Sequence, residues 1–348
     1  MTSRLSIRRP DDCHLHLRDG AALAAVLPYT VRRFARAIVM PNLLPPVAST
    51  QAALAYRQRI LAALPEAVEF TPLMTLYLTD TTPADEIRRA KDSGAIVGVK
   101  LYPAGATTHA DAGVTDLARC AQVLGAMEES GLVLQVHGES TEASVDVFDR
   151  ELAFIDRVLA PLLERHPALK VVLEHVTTAD GVDFVRSARQ GVAATITPQH
   201  MLLNRNALFA GGLRPHHYCL PVLKAERHRE AVAEAAVSGE ARFFLGTDSA
   251  PHGRSRKESA CGCAGIFSAP AGIELYAEAF DAAGRLDRLE AFASVNGARY
   301  YGLPLNEGRL VLERDEWRMD EECAAGDERY VPFRAGEPVP WRIVAARR

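Results

Sequence analysis

Eight short apolar runs recur along the chain, at residues 13–16, 37–40, 70–78, 96–100, 132–137, 171–175, 192–196 and 243–247. Each is too short for a helix and rich in branched or aromatic side chains, so each reads as a strand. Between most of them, residues 51–64, 83–93, 115–130, 148–164, 179–188 and 226–237 carry apolar side chains at helical spacing. Thr50 and Thr82 stand where N-caps belong, and Gly94, Gly131 and Gly191 stand where three helices would stop. Strands alternating with helices predict a (β/α)8 TIM barrel, with parallel strands buried on both faces and chemistry at their C-terminal ends. The competing fold is an open doubly wound sheet. No GxGxxG follows the first strand and no Walker lysine motif occurs, which favours the barrel. From about residue 305 the chain is richer in charge and holds Trp317 and Trp341. This stretch, 305–348, is expected to pack on the barrel as an extension of one domain spanning residues 1–348.

Composition narrows the class without changing the fold. A chain of 348 residues with 48% hydrophobic content supports a large core in a single barrel. The apolar stretch 21–27 is cut by Pro28, and nothing approaches the run of about 20 apolar residues that spans a bilayer. Arg4, Arg8 and Arg9 pass directly into Asp11 and Asp12 with no apolar signal core, which predicts a cytoplasmic protein. Forty basic against 44 acidic residues, with no basic segment, give nucleic-acid binding little support and point to a small-molecule partner. Six cysteines in such a chain read as reduced thiols. Cys261 and Cys263 do not form a CxxC knuckle and are expected to be two buried thiols beside a pocket.

The chemistry sits where the predicted strands end. His14 and His16, two apart on one strand, project from the same face and can share an ion. Lys100 closes the fourth strand, His137 the fifth and His175 the sixth, and the eighth runs directly into Asp248. Any one of them has an ordinary reading, as a core histidine or a helix cap; six at one end of one barrel point to a metal centre. Lys100 is the odd member, because a buried ammonium is costly and would repel cations. Its plain alternative is an ion pair with an interior carboxylate.

At these residues the sequence resembles the dihydroorotases of the amidohydrolase superfamily, in their shorter, independent bacterial form. The motifs are DDCHLHLRDG (11–20), MPNLLPP (40–46), GVKLYPAGATT (98–108), VHGE (136–139), EHVTTADGV (174–182), ITPQHMLLNRN (196–206), YCLPVLK (218–224), GTDSAPH (246–252) and KESACGCAG (257–265). The resemblance implies reversible cyclisation of N-carbamoyl-L-aspartate to L-dihydroorotate, with loss of water, in pyrimidine biosynthesis. It implies that Lys100 is converted by CO2 to a carbamate. His14, His16, Lys100 and Asp248 would then bind one zinc ion and Lys100, His137 and His175 a second, with a bridging hydroxide between them. Asp248 would be the general acid and base.

The same resemblance assigns the substrate carboxylate to Arg18, Asn42 and His252, and the ring amide to the backbones of Leu220 and Ala264. It makes 103–113 a lid whose Thr107 and Thr108 bond to substrate, and it implies a homodimer. His109 departs from the expected Asn in that lid, and Met201 stands where Leu is expected. Of the other histidines, His166 and His228 are expected in solvent, His216 and His217 in the pocket wall, and His200 behind the site. Two other functions stay open: a hydantoinase or dihydropyrimidinase sharing the metal set, and a catalytically silent homologue acting as a partner. Arg18, Asn42 and the KESACGCAG segment separate the first from a dihydroorotase.

Overall fold

In the computed structural model, which describes residues 3–260 and 262–347, the apolar runs form one eight-stranded parallel sheet. After an outer strand β1 (Arg4–Arg8) come β2 (Asp11–Leu15), β3 (Arg36–Val39), β4 (Thr71–Tyr77), β5 (Ile96–Leu101), β6 (Val133–Val136), β7 (Val171–Leu173), β8 (Val192–Ile196) and β9 (Phe243–Leu245). They pair in chain order from β2 to β9. The sheet closes where His16 N–H donates to Ser249 O at 3.0 Å and Asp248 N–H to His14 O at 2.8 Å. The result is a TIM barrel whose closing seam runs through three of the site residues.

Period-two alternation divides each strand between two cores. Cys13, Ile38, Leu73, Val133, Val172, Ala193 and Phe244 fill the barrel interior, while Leu76, Val99, Leu134 and Leu173 face the helices. Gly98 lies on the interior face of β5, where a Cβ would come within 2.8 Å of Val133 O and 2.9 Å of the Gln135 amide. A side chain there would displace Gln135, so the layer beneath Lys100 requires glycine.

Several expected boundaries shift. The strands stop one or two residues before His16, His137 and His175, so these side chains stand on the first loop residues rather than in the ladder. Ser49, not Thr50, caps the second helix by accepting from Ala52 N–H at 3.2 Å. Thr82 instead closes a turn, accepting from Thr79 N–H at 2.9 Å, and the following helix, Ala84–Asp92, has Pro83 at its N-cap and no side-chain cap. A helix not among those predicted, Gly20–Arg33, follows the first barrel strand and runs through Pro28. The segment expected at 148–164 contains a π turn at Ile155–Leu159 just ahead of Pro161, whose ring nitrogen cannot donate to a preceding carbonyl.

The C-terminal stretch returns to the N-terminus. Strand β10 (Arg309–Glu313) pairs antiparallel with β1 and with Arg342–Arg347, in the register Leu5 to Leu312 and Ile7 to Leu310. Trp341 is fully buried, its carbonyl accepting from the Trp317 indole at 2.8 Å. Among the described residues, no helix is long and apolar enough to cross a membrane.

Candidate active site and metal centre

One pocket at the C-terminal ends of the strands is lined by His14, His16, His137, His175 and Asp248, with Arg18, Asn42, Tyr102, Thr107, Thr108, Leu220, His252 and Ala264 around them. His14 and His16 aim their Nε2 atoms at one carboxylate oxygen, Asp248 Oδ1, at 3.3 and 3.1 Å. The ligand atoms of these three residues lie within 4.8 Å of one another. His175 packs against both His14 and His137, with ring centroids 5.1 and 4.8 Å apart. Lys100 lies fully buried on the same interior face.

Local backbone geometry helps set these directions. Arg18, His175 and Asp248 have φ of 59°, 43° and 45°, in the left-handed region that side chains disfavour. Each such residue costs on the order of 1–3 kcal/mol and persists only where surrounding contacts hold it. For Asp248 the restraint is the seam hydrogen bond to His14 O. At His175 it is the N–H donated to Thr195 Oγ1 at 2.7 Å.

A ring of acceptors orients the imidazoles. His14 donates Nδ1–H to Glu174 at 2.7 Å, and His16 donates Nδ1–H to Asn42 Oδ1 at 2.7 Å, so both present Nε2 lone pairs to the centre. His137 donates Nε2–H to Glu139 at 2.8 Å, leaving Nδ1 as its free ligand atom. Glu174 also accepts from the Thr195 hydroxyl at 2.5 Å, and Asp12 accepts from His14 N–H and from Thr247. These carboxylates lie in the quoted motifs but were not singled out. The available signal is an acid inside a buried apolar run, which requires a partner.

Electrostatics favours cation binding. Burial alone would raise the Asp248 carboxyl, but the imidazoles of His14, His16 and His175 outweigh it and hold the group well below the usual carboxylate range. Burial and Arg18 push His16 down to about 4, and burial with His137 and Lys100 keeps His175 neutral. Burial lowers Lys100 to about 8, against the pull of Glu174 and Asp248. Lys100 Nζ and His175 Nδ1 are buried with no hydrogen-bond partner. Burial alone would lower His14, but Glu174 and Asp248 outweigh it and raise the group, so this ring gives up its proton when a cation takes its place between the acids. The neutral imidazoles of His16 and His175, the ionised Asp248 and two orphaned nitrogens form a donor set that fits metal.

The residues expected to meet substrate line the same pocket. Arg18 donates Nε–H to Pro251 O at 2.9 Å and Nη2–H to His252 Nε2 at 3.0 Å. Burial and the Arg18 charge keep His252 neutral. The loop 103–113 lies against the site: Ala264 N–H donates to Thr108 Oγ1 at 3.2 Å and Asn42 Nδ2–H to Thr108 O at 3.3 Å. His109 of the same loop contacts Asn42 O through Nδ1 at 3.3 Å. Tyr102 was not singled out, although it follows Lys100 by two positions and so shares its interior face.

Four other histidines depart from expectation. His228 is buried and accepts from Ala179 N–H at 3.0 Å, because its helix packs that face inward. His166 is half-buried against Glu128 at 2.7 Å. His216 and His217 line a different cavity, the former bonded to Glu258 and the latter donating to Ala207 O. His200 lies behind the wall, with Nε2 at 3.0 Å from Pro221 O. Cys263 is half-buried beside Ala264, and Cys261 lies outside the described residues.

The amidohydrolase family model matches residues 12–311. A dihydroorotase from Cupriavidus pinatubonensis is 64% identical over 342 residues, covering 98% of this chain and 99% of that one. The chain belongs to the dihydroorotases of the amidohydrolase family. Two solved structures agree in fold over nearly the whole length. A Campylobacter jejuni dihydroorotase superposes with TM-score 0.91 at 34% identity, covering 99% of this chain and 98% of that one. A Saccharomyces cerevisiae dihydroorotase in complex with 5-fluoroorotic acid superposes with TM-score 0.91 at 32% identity, covering 98% of each. The family implies a metal site, and His14, His16 and Asp248 form a cluster with ligand atoms close enough to share one ion.

Because Glu174 sets the His14 tautomer from 2.7 Å, Glu174→Gln is expected to weaken metal binding about 10- to 100-fold. Competition with a chromogenic chelator measures it, and unchanged affinity would remove Glu174 from that role.

Proposed function

We propose that this chain catalyses reversible cyclisation of N-carbamoyl-L-aspartate to L-dihydroorotate, the reaction of the family to which it belongs. The observation that carries the substrate choice is the Arg18 and His252 pair, 3.0 Å apart, in the same pocket as the His14, His16 and Asp248 cluster. A neutral cyclic amide has no use for a half-buried guanidinium lining the pocket, whereas a carboxylate-bearing ring matches its planar fork. That favours a dihydroorotase over a hydantoinase. A silent homologue would have no reason to retain the oriented donor set.

Two zinc ions complete this reading. His14, His16, Lys100 and Asp248 would hold one, and Lys100, His137 and His175 the other, with Lys100 carboxylated by CO2. The Lys100 ammonium first loses a proton to solvent; the neutral amine then attacks CO2 and loses a second proton, so the orphaned cation becomes a carbamate anion with two donor oxygens. When bound, the ions make water nucleophilic near neutral pH and polarise the reacting carbonyl.

The chain's own groups do the rest. Arg18, Asn42 and His252 hold the substrate carboxylate, and the backbones of Leu220 and Ala264 hold the ring amide. Asp248, ionised and facing the pocket, takes a proton from the attacking water in hydrolysis and delivers it to the departing ring nitrogen; in cyclisation it runs in reverse. Thr107 and Thr108 bond to substrate as the lid excludes bulk water. This reading places the enzyme in the cytoplasm as a homodimer acting on a small molecule.

Steady-state hydrolysis of dihydroorotate and of an unsubstituted hydantoin tests the proposal. Strong preference for dihydroorotate is expected, and preference for the neutral ring would overturn the substrate assignment. Arg18→Lys is expected to raise KM for dihydroorotate about tenfold, since a point charge cannot reproduce the two-pronged contact. An unchanged KM would exclude that contact.

A further inference from the structure

Lys257 is buried within the KESACGCAG segment, and among the described residues no carboxylate pairs with it. Its ammonium donates instead to three backbone carbonyls, those of Tyr218, Cys263 and Gly265, each at 2.8 Å. These carbonyls belong to two separate stretches of chain, which also meet through Gly265 N–H donating to Tyr218 O at 3.0 Å. One stretch carries Leu220 and the other Ala264, both of which line the pocket.

The carbonyl of Cys263 and the N–H of Ala264 belong to one trans peptide unit, in which the two groups point in opposite directions. Fixing that carbonyl on Lys257 therefore aims the Ala264 N–H away from the ammonium, toward the lid. There it meets Thr108 Oγ1 at 3.2 Å. A cation on the carbonyl also polarises the peptide and makes its N–H a stronger donor.

We propose that Lys257 is a positioning residue for substrate: it holds the Cys263–Ala264 peptide and the Tyr218 carbonyl so that the Ala264 N–H and Leu220 backbone are set for the ring amide and the lid. This rests on the reading that those two backbones bind the ring. Lys257 does not touch the reacting atoms. Its contribution is therefore made equally to ground and transition states and appears in KM rather than kcat.

The test uses the full, zinc-loaded chain with Lys257→Met, which removes all donors, and Lys257→Gln, which keeps two without the charge. Lys257→Met is expected to raise KM for dihydroorotate, and Ki for orotate, about tenfold, with kcat within about threefold and zinc content unchanged. Lys257→Gln is expected to fall between it and the parent. Unchanged KM, or a parallel fall in kcat and zinc content, would overturn the proposal. Should the Met variant not fold, Lys257→Gln combined with Thr108→Val decides. Both changes act on one N–H, so their effects on KM should combine to less than the product of the separate effects. A simple product overturns the proposal. If the unaltered enzyme binds orotate no better than succinate, which lacks the ring, the ring-amide reading falls and takes the proposal with it. Tight orotate binding that is the same in all variants defeats Lys257 alone.

Discussion

Asp248→Asn is expected to lower turnover about 1000-fold in both directions, within the range attributed to a positioned acid or base, while KM stays within about threefold. The carboxamide keeps the shape and an oxygen to face His14 and His16, but cannot carry the proton. Folding should survive, because Asn tolerates the left-handed backbone that Asp248 adopts at φ 45°. Progress curves for ring opening and ring closure, with zinc content measured on the same samples, check this. Turnover above a tenth of the parent value with full zinc would remove Asp248 from the proton path.

Lys100→Met is expected to move activity and stability in opposite directions. Lys100 is fully buried, its Nζ has no partner, and burial lowers it from 10.5 to about 8. Below pH 8 the folded metal-free protein therefore holds a desolvated cation that the unfolded chain would hold in water. That burden, on the order of 3 kcal/mol at pH 7, diminishes as pH rises through 8 and is gone above the unfolded value near 10.5. Methionine keeps the stem and removes the charge. The metal-free variant should unfold at a higher urea concentration than the metal-free parent at pH 7, with the gap closing toward pH 10.5. Activity should fall at least about 1000-fold even with zinc and bicarbonate, as expected when an interaction essential to the site is lost. A destabilised variant would mean that the amine has an interior partner, and an active one that no carbamate is needed. In the parent, reactivation by zinc at fixed dissolved CO2 should accelerate as pH rises through about 8, since only the neutral amine attacks CO2.

The barrel was legible because parallel strands buried on both faces appear as apolar runs, and the polar residue ending each run marks where the chain enters the site. That logic reached His14, Lys100, His137, His175 and Asp248 from spacing alone. It did not reach Glu174, whose partner His14 lies 160 positions away, or His228, which faces a backbone N–H 49 positions away. Those pairings exist only after closure of the barrel. No helix is predicted between the first two strands, yet one runs through Pro28 to Arg33 and buries Leu23, Val26, Leu27 and Val31. Burial of that face outweighs one missing backbone donor. Arg18, Asn42 and His252 were reached through the family motifs rather than through any pattern of the chain.

The central claim is that His14, His16, Lys100, His137, His175 and Asp248 form one two-metal site around a carboxylated lysine. A high-resolution crystal structure of zinc-loaded protein grown with bicarbonate, with anomalous data at the zinc edge, tests it most directly. The account predicts two zinc peaks in the pocket and planar density extending from Lys100 Nζ between them. A single peak, or a bare amine at Lys100 in fully active crystals, would contradict it.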